Sequence, residues 1–487
     1  MRLLLQASET DHGSVADADL AGESVSELVR TAPPSPAGPV DAEDLRSLPQ
    51  PPEVGLPAAV QVLWFSLRQF GFVFRQRARL GDVWSARGYV RGGPVVVCHP
   101  DHVRSLFSAS PELVPTLAAE SPLRPVLGKG SVLTANEPRH LPRRKLLLPA
   151  FHGEAIAAYE RMIAAAAERE IERWPIGRPF SLAPRMQAIT LDVIMGGIFG
   201  IEGRPRPGTA EHALRLAIRE MLWKSTLPIA RAAELANLGR SEPRGLMRLG
   251  LLVPDRCVHA VIRRRRRAAD LGERHDILSL LLRTEDEEGR PLHDRELRDE
   301  LMTLVLAGHE TTANQLAWAW ERLLRAPLAH AGLLEAVRAG GDAEEPAWVE
   351  ATIHEAMRSR PVVPMTGRRV AVSWQFGPYG IPAGRPVAIS ILLLHHREDV
   401  YPDPFAFRPE RWLGRKPGTY EWIPFGGGTR RCLGAALAMA EQRVVLREMA
   451  RRLDLEADRP EPERPQHRNV TMIPARGGRV VLRRRRG

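Results

Sequence analysis

The chain has 487 residues, 44% hydrophobic and 26% charged, which excludes a fibre or wholesale disorder and fits an ordinary soluble globular protein. That length allows one large domain or two to three smaller ones. The net charge of +11 is almost wholly arginine, since lysine occurs only at 129, 145, 224 and 416. Arg263 to Arg267 are five in a row, and Arg483 to Arg486 close the chain. No stacking-aromatic module or zinc-finger spacing accompanies them, so no nucleic-acid partner is expected. An acidic protein partner is the better use of such a surface. Cys98, Cys257 and Cys432 are odd in number and lack CxxC spacing, which argues against a disulfide framework and for a reducing compartment. The opening MRLLLQASETDHG has too short an apolar run for a signal peptide, and no stretch reaches spanning length. A cytoplasmic protein is expected.

Residues 1 to about 50 are small, polar and proline-bearing (TAPPSPAGPVDAED), which predicts a disordered extension before a single domain over 51–487. VWSARGYVRGGPVVVCHP has short β-rich runs broken by Gly-Gly and Pro, which predicts a hairpin. Helical patterns then dominate. HGEAIAAYERMIAAAAEREIERWP is alanine-rich and amphipathic and stops at Pro175. From Asp294 to Leu324 the pattern runs without a proline, about 45 Å of helix, enough to cross a whole domain. Another helix runs from about Trp348 to Ser359 and stops before Pro361. Strand-like pieces follow (GRRVAVSW, YGIPAGRPVAISILLL), then the irregular DVYPDPFAFRPERW, then a last helix from Cys432 to about Arg452. No fixed-period repeat is present. The sum is a mainly α chain with a minor β part.

The segment that carries chemistry is Phe425-Gly-Gly-Gly-Thr-Arg-Arg-Cys432-Leu-Gly434. Three glycines free the backbone to bend tightly and let a flat ligand approach. A thiol opening a helix beside Arg430 and Arg431 has its thiolate favoured by dipole and cations, so it is a nucleophile or a metal ligand. No Gly-Lys-Ser/Thr follows, which removes a phosphate loop from consideration. A buried structural cysteine is the bland alternative. Here the segment resembles the haem-ligand signature of the cytochrome P450 superfamily, Phe-x-x-Gly-x-Arg-x-Cys-x-Gly. It matches at all five fixed positions: Phe425, Gly428, Arg430, Cys432 and Gly434.

The resemblance implies the P450 fold, with a long central helix over haem b and the cysteine loop beneath it. It makes Cys432 the iron ligand, whose thiolate pushes electron density toward the metal. Phe425 would pack beside the sulfur, Gly428 would let backbone amides reach it, and Arg430 would pair with a haem propionate. Three more segments match in the family's order. Ala307-Gly308-His309-Glu310-Thr311-Thr312, midway along the long helix, resembles the oxygen-activation motif. Gly308 would clear space for a flat cofactor or dioxygen, Thr311 would offer a hydroxyl, and Glu310 would help relay protons from solvent. For an isolated Thr-Thr the bland reading is back-bonding to a carbonyl four residues earlier. His309-Glu310 begins like HExxH, but Ala313 stands where a second zinc ligand would be.

Glu355-Ala-Met-Arg358, with Arg411 from Arg-Pro-Glu-Arg-Trp, resembles the family's structural Glu-x-x-Arg triad. Taken alone, such an i,i+3 pair is surface decoration. His140 and Arg144 match a His and an Arg that face the propionates, although Pro142 between them is costly inside a helix. Arg368, or Arg369 beside it, resembles a further propionate-binding arginine.

The implied function is a monooxygenase that hydroxylates or epoxidises a hydrophobic small molecule using dioxygen. The alternatives are a haem-thiolate isomerase, dehydratase or peroxygenase, and a haem sensor without turnover. The chain has no Rossmann G-x-G-x-x-G and no iron–sulfur cysteine set. A separate ferredoxin with its reductase, or a flavodoxin, is therefore expected to bring electrons to a monomer. The expected docking face is near Arg430 and Arg431. Pocket residues are expected from about 112 to 134, 204 to 255, Leu304 to Thr311, Val362 to Thr366 and Asn469 to Met472. These residues are mostly apolar, so a hydrophobic molecule is expected; the LLLPAFHGE run after Arg144 resembles soluble bacterial members of the family that act on terpenes or fatty chains.

Overall fold

The proline-free run becomes a 30-residue helix, Asp294–Leu323, around which the domain is arranged. Its first turn is closed by Glu296, whose carboxylate accepts from the His293 amide at 3.2 Å. A computed structural model describes residues 34–486 of the protein except 88–92, 152, 204, 238, 286–288 and 341–343. From Thr312 to Glu321 every side chain of the helix is buried, so it is core on all faces there. Leu182–Phe199 lies along it, and the Thr190 hydroxyl of that helix donates to the His309 carbonyl at 2.9 Å. Glu154–Ile171, Pro327–Ala339, Glu344–Ser359 and Ala435–Arg452 complete the main core. Trp320 and Leu323 sit at its centre.

The expected hairpin exists as Val83–Ser85 paired antiparallel with Val95–Val97; its turn lies outside the described residues. Val95–Val97 then pairs parallel with Pro386–Ser390, and that strand antiparallel with Met365–Arg369. A second hairpin, Pro465–Arg468 with Thr471–Pro474, turns on Asn469 at φ 54°. It is tied to the central helix by Trp318, whose indole N–H donates to the Met472 carbonyl at 3.0 Å.

Three boundaries differ from the sequence expectations. Of the extension placed at 1–50, residues 34–50 are structured. Ala37–Pro39 pairs with Trp374–Phe376, and Asp41 caps the helix Ala42–Ser47. Composition alone misses a segment ordered by a waiting sheet edge. Ile391–Leu394 is a short helix capped by the Ser390 hydroxyl, not a strand. The last helix begins at Ala435, so Cys432 stands just before it in the loop. Among the described residues no helix is long and apolar enough to cross a membrane.

Candidate active site

The cysteine loop is shaped by glycine. Gly426 and Gly428 hold φ of +67° and +65°, a region that L side chains avoid. A Cβ on Gly428 would stand 2.5 Å from the Phe107 carbonyl oxygen, and one on Gly427 would stand 2.2 Å from the Phe107 ring. The loop therefore lies flat on Phe107. Its end is closed by the Cys432 amide, which donates to the Phe425 carbonyl at 2.9 Å. The Phe425 side chain packs on the main core, and its ring meets Trp422 edge-on at 6.2 Å. The Cys432 residue is accessible. Burial among protein atoms still pushes its thiol up, while the Gly434 backbone and the charges of Arg144 and Arg431 pull the other way.

The central helix carries accessible positions in its otherwise buried middle. Ala307 is exposed and Leu304 and Thr311 are half-buried, although Val305, His309 and Thr312 around them are buried. These three positions share one helical face. The Thr311 hydroxyl donates back to the Ala307 carbonyl at 2.7 Å, the local bond that such a residue makes by default. A Cβ on Gly308 would meet Ile194 at 3.2 Å, so the glycine also serves the contact with Leu182–Phe199. Glu310 makes an ion pair with Arg468 of the second hairpin, whose Nε lies 2.8 Å from Oε1.

Four basic side chains converge at one edge of the loop. His140 is buried, with Nδ1 2.9 Å from the Glu137 carboxylate. Arg430 is half-buried and donates to the Ala135 carbonyl at 2.7 Å. Arg368 is buried over the Phe107 ring at 5.2 Å. Burial, with Arg430 beside it, pushes Arg368 down to about 10. Burial and Arg144 bring Arg430 down to about 10 against the pull of Glu137. Arg144 is lowered by burial and by Arg431. Arg369 turns away, to the Glu120 carboxylate and the Gly384 carbonyl at 2.5 and 2.6 Å. Pro142 also ceases to be a difficulty: the helix is His140–Leu147, so proline sits in the first turn, where its missing N–H costs nothing. A cavity of about 210 Å³ lined by Phe107, Asn136, Glu137, Arg368 and Arg430 opens at this edge. Arg430 itself points inward and leaves only Arg431 of that pair exposed for a partner.

The structural triad is assembled and sealed. Arg358 donates to both Glu355 oxygens at 2.7 and 2.8 Å, with both side chains fully buried, and Arg411 approaches Glu355 at 3.2 Å.

Two features had no sequence signal. Arg468 is one, because nothing local links it to Glu310. The other is a latch that fixes the loop before His140. Asp299 accepts from the Gly130 amide at 2.9 Å, Glu300 from the Val132 amide at 3.0 Å, and Thr303 donates to Ser131 at 2.7 Å. Burial pushes the Glu300 carboxyl up to about 7.

The residues fit a haem. The donor set is one accessible thiol on a glycine-shaped loop, and mutually repelling cations at its edge call for anions such as two propionates. Comparisons agree. The cytochrome P450 family model matches residues 49–481. A Mycobacterium tuberculosis protein called cytochrome P450 135B1 is 36% identical over 439 residues, covering 90% of this chain and 92% of its own. Another from that organism, cytochrome P450 138, is 37% identical over 451 residues, covering 91% and 100%. Among solved structures, the retinoic acid-bound cyanobacterial CYP120A1 superposes with a TM-score of 0.72 at 23% identity, covering 89% of this chain and 99% of that one. The cytochrome P450DA haem domain gives 0.70 at 24% identity, covering 90% and 98%. On these matches over most of its length, this chain belongs to the cytochrome P450 family and is a haem-thiolate monooxygenase.

Proposed function

We propose that Cys432 ligates the iron of haem b and that the enzyme hydroxylates or epoxidises a hydrophobic small molecule. The observation that carries this is the pairing of an accessible thiol with a central-helix face bearing Thr311 and Glu310. The haem, when bound, supplies dioxygen reduction and oxygen insertion. His140, Arg144, Arg368 and Arg430 hold its propionates by charge-assisted hydrogen bonds. Thr311 donates a proton at the reacting centre once its hydroxyl leaves the Ala307 carbonyl, and Glu310 replenishes it from solvent. Leu304, Val362 and the latched loop give the substrate apolar walls, which suit a terpene or fatty chain. Electrons come from a separate acidic ferredoxin and its reductase, docking around exposed Arg431; electron-transfer rates should fall with rising salt.

Turnover with a surrogate ferredoxin and reductase under labelled dioxygen tests this: the label should enter the product. Thr311→Ala should cut product formation by about 10²-fold, within the range for a general acid, while reductant is still consumed and peroxide released. An unlabelled product, or a peroxide-driven rate that Thr311→Ala leaves unchanged, would favour the isomerase or peroxygenase reading.

A separate outcome concerns the edge cations. Arg368→Gln should speed haem loss to an acceptor apoprotein by about tenfold, the worth of one charged hydrogen bond, and Arg369→Gln should not. Equal loss from both would remove the assignment of Arg368.

A further inference from the structure

Only 2% of His140 is exposed, yet among the described residues its ring makes one hydrogen bond, between Nδ1 and the Glu137 carboxylate at 2.9 Å. An ionised carboxylate only accepts, so Nδ1 carries a proton. Nε2 is then either a bare lone pair, in a neutral ring, or a second N–H, in an imidazolium. Burying a ring nitrogen without a partner is costly, which points to a group that is bound there.

The place of Glu137 is built. Just before it, the Ala135 carbonyl accepts from Arg430 at 2.7 Å and the Asn136 side chain accepts from Thr116 at 2.9 Å. Its second oxygen accepts from the Leu141 amide at 3.3 Å, in the first turn of His140–Leu147. Glu137 also lines the cavity of about 210 Å³ together with Glu112, Arg368 and Arg430. An acid in a cavity suited to anions repels them unless its charge is spent on a neighbour. Here that neighbour is His140.

The charges facing His140 decide its state. Burial pushes the imidazolium down, and Arg430 of the cysteine loop and Arg144 of its own helix add to this. Glu137 pulls the other way, both by hydrogen bond and by charge. Arg368, on the strand Met365–Arg369, and Glu112 are the other charged groups at the cavity. With Glu137 removed, burial and the arginines favour a neutral ring. A propionate and Glu137 on either side of the ring are two acceptors, and only the doubly protonated ring serves both.

We propose that Glu137 is a positioning residue for the haem: it takes the Nδ1–H of His140 and keeps the ring an imidazolium, whose Nε2–H donates to a haem propionate. This rests on the assignment of His140 to a propionate. It adds one acid to a set of cations.

Haem transfer from the full-length, haem-loaded protein to an acceptor apoprotein, followed between about pH 6 and 9 where a paired imidazole titrates, tests it. The hold supplied by an imidazolium is present below its pKa and lost above it, so wild-type loss should quicken as pH rises. Glu137→Gln keeps an acceptor for the Leu141 amide but no charge. Its profile should move to lower pH by about one unit, the effect of one opposite charge at contact, so that haem leaves up to about tenfold faster between the two midpoints. Glu137→Asp should lie between. His140→Gln should lose haem quickly and without a step. An unaltered carbon monoxide band shows that each variant is folded around its haem. A Glu137→Gln profile that coincides with wild type, or runs parallel to it at every pH, overturns the proposal, because a merely structural acid acts alike throughout. Should Glu137→Gln fail to fold, Glu137→Asp decides: a profile that the shorter acid leaves unmoved overturns it too. Retention of haem by His140→Gln at the wild-type rate would instead remove the assignment of His140 itself.

Discussion

Replacing Cys432 with alanine should abolish the far-red-shifted Soret band of the reduced, carbon monoxide-treated protein, and all oxygen insertion with it. The reason lies in how the sulfur is held. The loop is fixed against Phe107 by Gly427 and Gly428, which accept no Cβ, so the position of the thiol is set by the backbone. Burial pushes the Cys432 thiol up from its ordinary value, and the Gly434 backbone, Arg144 and Arg431 only partly offset this. Protein charges alone therefore leave the thiol reluctant to ionise, and the proposed bond to a cationic metal would complete the deprotonation. Cys432→Ser separates ligation from packing. It keeps the size and loop geometry, so haem should still bind, but an oxygen ligand cannot give the shifted band. Persistence of the band in either folded variant would mean that Cys432 is not the ligand, and the roles built on it would go too.

How far such a site is legible in sequence depends on whether its parts are local. The cysteine loop and the central helix are contiguous runs; the helix stands where the sequence places it, and the loop runs three residues further, to Ala435. Choosing Arg368 over Arg369 needs to know which face of the strand is buried, and alternation alone leaves that open. The packing partner of Gly308 is hidden from the sequence for a related reason. Helical spacing says which residues share a face but not which neighbour that face meets, and the neighbour of Gly308 is Ile194. Pro142 looked costly only because the helix start was unknown; a start at His140 places it in the first turn. Arg468 and Glu310 meet from 158 residues apart, and the Asp299–Gly130 contact of the latch spans 169. No short pattern can encode such pairs, since only the closed fold brings them together. Residues 34–50 fail in the opposite sense, being ordered by a strand edge that their own composition does not announce.

Glu355→Ala should be the most damaging substitution to stability. Its carboxylate accepts from Arg358 twice, from the Arg408 amide at 2.9 Å and from the Trp412 indole at 3.0 Å. Arg358 spends its remaining donors on the carbonyls of His395, Pro404 and Ala406, which pins the irregular segment leading to the cysteine loop. Removing the acid strands a fully buried guanidinium, a loss of about 3–5 kcal/mol for a broken buried pair. Two further donors are left short, each worth about 1–3 kcal/mol. Against the usual total of about 5–15 kcal/mol, little stability remains. Glu355→Gln keeps an acceptor for Arg408 and Trp412 and should fall between alanine and wild type. The comparison also carries a pH signature. Burial would raise the Glu355 carboxyl, but Arg358 and Arg411 outweigh it and hold the group below its ordinary value. A depressed acid contributes its stability above the unfolded pKa and loses it as pH falls through the folded one. The wild-type advantage over Glu355→Gln should thus be full at neutral pH and shrink once the pH drops below the ordinary carboxylate range. Urea midpoints of the haem-loaded proteins at several pH values would read this directly. An advantage that stays constant down to strongly acid pH would mean that Glu355 acts through hydrogen bonds rather than charge.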